Sequence, residues 1–226
     1  ESKVQEHLTG RIGVGMVPIN TQNKCKFGVI DIDTYPIDHK ALCQRLKQYG
    51  VPMVVCRSKS GGAHLYLFLK GWMDAATLRE YLSEIAAAMG HAQCEIFPKQ
   101  DKILVERGDV GNFINLPYFD ADNTTRYAFD SEGNDLELDA FLDFVDATRV
   151  THSDLEALDF GSEREDLKDG TPCLELIAHR QIQEGERNEV MFHAAWQLKN
   201  QYPETWTSEL EEFNQRYCVR PLGATE

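Results

Sequence analysis

No apolar run in this chain approaches the ~18 residues that a membrane span needs, and no signal-peptide pattern opens it. There is no CxxC pair. The six cysteines, at positions 25, 43, 56, 94, 173 and 218, are scattered, which speaks against a zinc ribbon or a disulfide scaffold and makes buried, reduced thiols the expectation. Low-complexity tracts and internal repeats are also missing, so the chain is expected to fold. Positive charge is scarce: 23 Lys and Arg stand against 37 Asp and Glu, for a net charge of −14. That sum argues against a nucleic-acid partner, but its distribution does not. Residues 1–120 hold 14 basic against 13 acidic residues, residues 121–170 hold 4 against 15, and residues 171–226 hold 5 against 9. The acidity is concentrated in the middle of the chain, and the first half is balanced.

What is there centres on Phe27–Asp33, FGVIDID. A strand with period two places Asp31 and Asp33 on one face and Ile30 and Ile32 on the other. Like charges so close repel, and aspartate is disfavoured inside a strand. Two readings answer this. Either a divalent cation with oxygen ligands compensates the pair, or the pair sits at a frayed strand end as solvated turn residues before Tyr35-Pro36.

Periodicity organises the surroundings. A turn at Gly10 and a short Gly-rich strand are expected within 7–19. Ile37, Ala41, Leu42, Leu46 and Tyr49 recur at helical spacing up to Gly50. Strands are expected over 51–57 and 63–70, an amphipathic helix from Ala75 to Met89, and a strand over 93–97. The order β-α-β-β-α-β is the split βαβ arrangement of RNA-recognition-type sheets. The fold class is therefore α+β, an RRM-like sheet with strand order 4-1-3-2. That order makes the aspartate strand central, with Glu95 on one neighbour and His64 on the other. Glu95, if it shares the open face, completes a cluster of three carboxylates. Further short strands are expected within 108–119 and at 125–129, and an acidic helix at 139–145. Residues 149–170 read as an acidic linker or irregular wrap, and 171–226 as a small bundle of three helices. The domain plan is thus 1–148, a linker at 149–170, and 171–226.

The second informative stretch runs from Arg57 to His64, RSKSGGAH. Gly61 and Gly62 allow close backbone approach and an anion nest. Ser60 offers a hydroxyl, and Arg57, Lys59 and His64 add donors or positive charge. Taken alone this is an ordinary glycine turn; beside carboxylates it reads as a triphosphate cradle, with Lys99 as a second phosphate contact. Three acids and a phosphate loop together suggest two-metal phosphoryl transfer.

These motifs resemble the archaeo-eukaryotic primase superfamily, the primase-polymerases. Its hydrophobic-D-x-D motif is matched by Ile30-Asp31-Ile32-Asp33. Its turn ending in histidine is matched by Ser60-Gly61-Gly62-Ala63-His64, although the family's usual spacing is S-x-H. Its third motif, an acid on a strand, is matched by Glu95 in CEIFPKQ. HLTG, DID, SGGAH, EIFPKQ and GNFINLPYF, in that order, are similar to the primase-polymerases of phages and mobile elements, including the TOTE conflict-system type. The tail, with PCLELI, GERNEVMF and FNQRYCVRPL, resembles the helical PriCT domain.

The resemblance implies template-directed nucleotidyl transfer on single-stranded DNA with nucleoside triphosphates and two Mg²⁺ or Mn²⁺ ions. Asp31, Asp33 and Glu95 would be the catalytic metal ligands. Arg57, Lys59, Ser60, Gly61, Gly62, His64, Lys99 and Asn115 would bind the nucleotide. Arg187 and Asn188 would serve the template or initiation, with helix capping by Asn188 as the alternative role. It also implies a bacterial or phage-infected cytoplasm and a helicase region further along a longer chain.

Competing functions lose on named residues. A rolling-circle nuclease needs H-x-H, and His64 is followed by Leu65-Tyr66. A diguanylate-type cyclase needs an acid in its GG hairpin, and SGGAH has none. A non-catalytic RNA-recognition module would put aromatics where the aspartates stand.

Overall fold

The computed structural model describes residues 2–158, 182, 187–218 and 221–223. Two compact units divide the chain: 1–86 with 93–158, and 87–92 with 159–226. The first begins with α1 (Lys3–Leu8), which the sequence reading did not anticipate. Ser2 and Gln5 close a reciprocal capping box at its start. There follow β1 (Gly15–Met16), β2 (Lys24–Ile32), α2 (His39–Gln48), β3 (Val54–Arg57), β4 (Ala63–Asp74), α3 (Ala75–Ala88) and β5 (Glu95–Phe97). Then come β6 (Ile114–Asn115), β7 (Ala128–Phe129), β8 (Asp135–Leu136), α4 (Leu138–Thr148) and α5 (His152–Glu156).

The main sheet has the order β5-β2-β4-β3-β7-β8. Its first four strands reproduce the expected 4-1-3-2 order, and the β7–β8 hairpin extends the β3 edge. One face is aliphatic: Ile30, Ile32, Ala63, Leu65 and Leu67 are fully buried there. Gly28 lies on this face because a Cβ would meet Leu82 at 2.5 Å and Leu78 at 3.0 Å, so α3 packs directly on the strand backbone. Val29, Val54, Cys56, Tyr66 and Phe97 face the other way, into a second core with Ile114, Tyr118, Ala128, Phe141 and Val145.

Two boundaries differ from expectation. β4 runs twelve residues, four beyond its expected end, while β3 has only four. The extension to Asp74 is held by β2, where Cys25 and Lys24 pair with Met73 and Asp74; on the other side β4 outlasts β3 beyond Tyr66, and buried backbone groups demand partners. Val150 supplies them: its carbonyl accepts the Lys70 N–H at 2.8 Å, and its own N–H donates to the Phe68 carbonyl at 3.0 Å. The start of the expected linker is therefore bound to the sheet and continues as α5, capped by Thr151.

In the second unit, α6 (Arg187–Gln201) and α7 (Trp206–Tyr217) share a core with Ile182 and Cys218. These correspond to the expected second and third tail helices; the expected first helix and the remainder of the acidic segment lie outside the described residues. Among the described residues no helix is long and apolar enough to cross a membrane. Of the described cysteines, Cys25, Cys43, Cys56 and Cys218 are buried free thiols and Cys94 is a half-buried one.

Candidate active site

Strand register assembles the site. Cys56 of β3 is opposite His64 of β4, His64 is opposite Asp31 of β2, and Asp31 is opposite Glu95 of β5. These four residues form one row across the sheet on a single face. The next row is Val54, Tyr66, Val29 and Phe97, which is core. The face therefore changes from apolar to ionisable within one rung, at the end of the strands where the 58–62 loop turns. Asp33 lies just past the end of β2 on the same side and is exposed.

Asp31 and His64 are both largely withdrawn from water, with side chains 15% and 11% exposed. His64 Nε2 lies 3.4 Å from Asp31 Oδ1. The contact is not a hydrogen bond, and that buried oxygen accepts none. A buried carboxylate oxygen without a donor is costly. Its surroundings record the same charge: burial first, and then the Asp31 and Asp33 carboxylates, push the Cys94 thiol up to about 11. Tyr66, one rung inward, has its phenol raised well above the ordinary range, chiefly by burial and in smaller part by Cys56 and Asp31.

The expected cluster of three carboxylates is not gathered. Glu95 occupies its predicted place in the row, but β5 is the sheet edge and the side chain is 62% exposed. Its Oε2 is instead 2.7 Å from Lys99 Nζ, four residues on, which ties the expected metal ligand to the expected phosphate contact in one ion pair. Among the described residues no three His, Cys, Asp or Glu side chains come together as a metal site. Asp31 and Asp33 nevertheless suit a hard cation: both are carboxylates, they share one face, and one buried oxygen is unsatisfied.

The loop between β3 and β4 is a closed turn. Gly61 N–H donates to the Ser58 carbonyl at 3.1 Å, and Ser58 N–H donates to the Gly62 carbonyl at 2.9 Å. Gly61 has φ +94°, a conformation that glycine adopts without a Cβ penalty. Its N–H is spent on the turn, and the loop's outward side-chain donors are the exposed Ser60 and Lys59. Arg57 donates to the Thr125 carbonyl at 3.0 Å, which makes it a brace for the loop. Asn115 is exposed, and its carbonyl accepts the Tyr66 hydroxyl at 2.9 Å. Arg187 is buried and opens α6, and Asn188 is exposed in that helix's first turn.

Three residues at or near the site were missed by sequence reasoning. The Tyr35 hydroxyl lies 2.9 Å from Asp33 Oδ1 and 2.5 Å from Ser60 Oγ, joining the carboxylate end to the loop. Ser58 Oγ continues the chain, 3.0 Å from Ser60 Oγ. His39 donates from Nε2 to the Gly62 carbonyl at 3.0 Å. A tyrosine two residues after an acidic pair and a histidine at a helix start carry no spacing signal of their own. His7, within the HLTG stretch, is a structural brace: its Nδ1 accepts from Val14 N–H at 3.0 Å, so Nε2 donates to the Pro117 carbonyl at 2.9 Å.

A family model described as the archaeo-eukaryotic primase domain of the TOTE conflict system matches residues 1–154. No curated protein matches the chain.

Proposed function

Because the chain belongs to the archaeo-eukaryotic primase family in its TOTE conflict-system form, we propose that it is a template-directed nucleotidyltransferase, making or extending primers on single-stranded DNA. The observation that carries the reading is the row Cys56–His64–Asp31–Glu95, with an unsatisfied Asp31 oxygen beside His64 and the Asp33 carboxylate against the serine-glycine loop.

In the reaction the 3′-hydroxyl of the growing strand attacks the α-phosphorus of an incoming nucleoside triphosphate, and pyrophosphate leaves. Two Mg²⁺ or Mn²⁺ ions, when bound, supply Lewis-acid polarisation of the phosphate and lower the cost of deprotonating the attacking hydroxyl. Asp31 and Asp33 would hold them, with Glu95 joining on release from Lys99. The chain's own residues bind and orient the substrate. Ser60 and Lys59 donate to the triphosphate from the loop, and Lys99, once parted from Glu95, is free to neutralise charge. His64 is withdrawn from water beside Asp31, where a donor gains strength from the lowered dielectric. Gly61, Gly62 and Arg57 shape and brace the loop. Asn115, whose carbonyl holds the Tyr66 hydroxyl one rung from Asp31, is proposed as a nucleotide contact, and Arg187 and Asn188 of the second unit are proposed to serve the template or the initiating nucleotide.

The test is incubation with single-stranded DNA, labelled nucleotides and Mg²⁺ or Mn²⁺, beside an Asp31→Ala/Asp33→Ala variant. Metal-dependent product from the native protein alone is expected. Product without added primer identifies a primase, and extension of a supplied primer only identifies a polymerase. A second reading, a nucleotide-binding module without catalysis, is favoured by the Glu95–Lys99 pair. It would be preferred if the native protein binds nucleotide yet joins none with either ion.

A further inference from the structure

The connection from β2 to α2 touches the 58–62 loop at both of its ends. Tyr35 reaches Ser60 through hydroxyls that face solvent. His39, four residues later, reaches the Gly62 carbonyl from behind. The His39 ring is stacked on Phe129 at a centroid distance of 4.9 Å and an interplanar angle of 23°. Phe129 is itself buried and is fixed by the β7–β8 hairpin. One ring edge is thus committed to the loop and one ring face to the core.

α2 does not need this bond. Asp38 caps it by accepting from Ala41 N–H at 3.0 Å, and Leu42, Cys43 and Leu46 bury its inner face. The Gly62 carbonyl, by contrast, is the point where the turn closes, since it also accepts the Ser58 N–H. Gly62 further sits so close to β2 that a Cβ would fall 2.4 Å from the Ile32 carbonyl oxygen. Moving this one peptide moves the whole loop relative to Asp31 and Asp33.

We propose that His39 is a positioning residue which, seated on Phe129, sets the register of the 58–62 loop against the aspartate pair and so sets affinity for a nucleoside triphosphate. The inference rests on the reading of that loop as a triphosphate cradle. His39 acts only through the loop. A carbonyl accepts whichever proton Nε2 carries, so the neutral Nε2–H tautomer and the imidazolium both serve.

Three proteins are compared: native, His39→Phe, which keeps a ring on Phe129 but loses the donor, and His39→Gln, which restores a donor. Amide exchange at Ser58 and Gly61, binding of a non-hydrolysable nucleoside triphosphate with Mg²⁺, and melting temperature are measured for each. One lost neutral hydrogen bond predicts exchange faster and binding weaker by about three- to tenfold in His39→Phe, with little change in melting. His39→Gln should recover most of both. Unchanged exchange and affinity in His39→Phe overturn the assignment. So does a fall in melting temperature that accounts for the lost affinity and is not rescued by glutamine. Faster loop exchange in His39→Phe, together with a native protein that binds no triphosphate, would overturn the cradle reading while upholding the hold of His39 on the loop.

Discussion

Replacing Gly62 with alanine separates a loop set by contact from a loop that merely connects two strands. The added Cβ would stand 2.4 Å from the Ile32 carbonyl oxygen and 3.3 Å from both Asp33 Oδ1 and Ser58 Oγ. Ordinary contact begins at 3.4 Å, so something must yield by about 1 Å. Ile32 cannot: it is fully buried and paired with Ala63 in the centre of the sheet. The loop therefore moves, straining the Gly62 carbonyl's bonds to Ser58 and His39. Overpacking of this kind costs about 1–3 kcal/mol, or roughly 2–4 °C of melting temperature for each kcal/mol in a domain of this size. The larger effect is expected on function, because a displacement of about 1 Å in a positioning element costs on the order of a hundredfold in rate. Nucleotide incorporation at saturating and limiting triphosphate, together with a melting curve, measures both. Gly71→Ala is the control, since nothing lies within 4 Å of its Cβ position. Should Gly62→Ala retain incorporation within about twofold of native, the contact with β2 does not set the loop, and the geometric argument fails.

Two further outcomes follow from the charges. Asp31→Asn removes a buried carboxylate whose Oδ1 has no donor, so the variant should melt higher than native without divalent ions, by about 2–4 °C per kcal/mol relieved. Mg²⁺ should raise the melting temperature of native protein and not of the variant; equal responses would mean that Asp31 does not hold the ion. At the β7–β8 turn, the Asn134 side chain first, then backbone amides of Asn134, Glu132 and Gly133, hold the Asp130 carboxyl below its ordinary range. A depressed folded-state pKa gives stability that is full above the unfolded value and is lost as pH falls through the folded one. Asn134→Ala should therefore lower the melting temperature at neutral pH, with the gap closing in strong acid. A gap independent of pH would refute that origin.

The sequence alone carried the fold's centre because alternation is a local property. FGVIDID, AHLYLFLK and QCEIF each announce a strand and its two faces, and the β-α-β-β-α-β order admits few sheets. Asp31 and Asp33, the Gly61-Gly62 turn and the neighbours of the aspartate strand were legible for that reason. α1 was missed because six residues give almost no periodicity, and its start is marked only by the Ser2–Gln5 capping box. The extension of β4 to Asp74 was missed because its partners, Lys24 and Cys25, belong to a strand distant in the chain, as does the Val150 that bridges to Leu69.

Tertiary structure decided what the side chains do once they are together. Glu95 reached its place by register, yet it turned to Lys99 because an edge strand leaves a long side chain free to meet a nearby cation. His39 and Tyr35 became part of the site only because β2, the loop and the β7–β8 hairpin converge on one end of the sheet. Periodicity reports which face a residue occupies. Which atoms meet across that face is set by packing between segments distant in the chain, and short-range pattern carries no record of it.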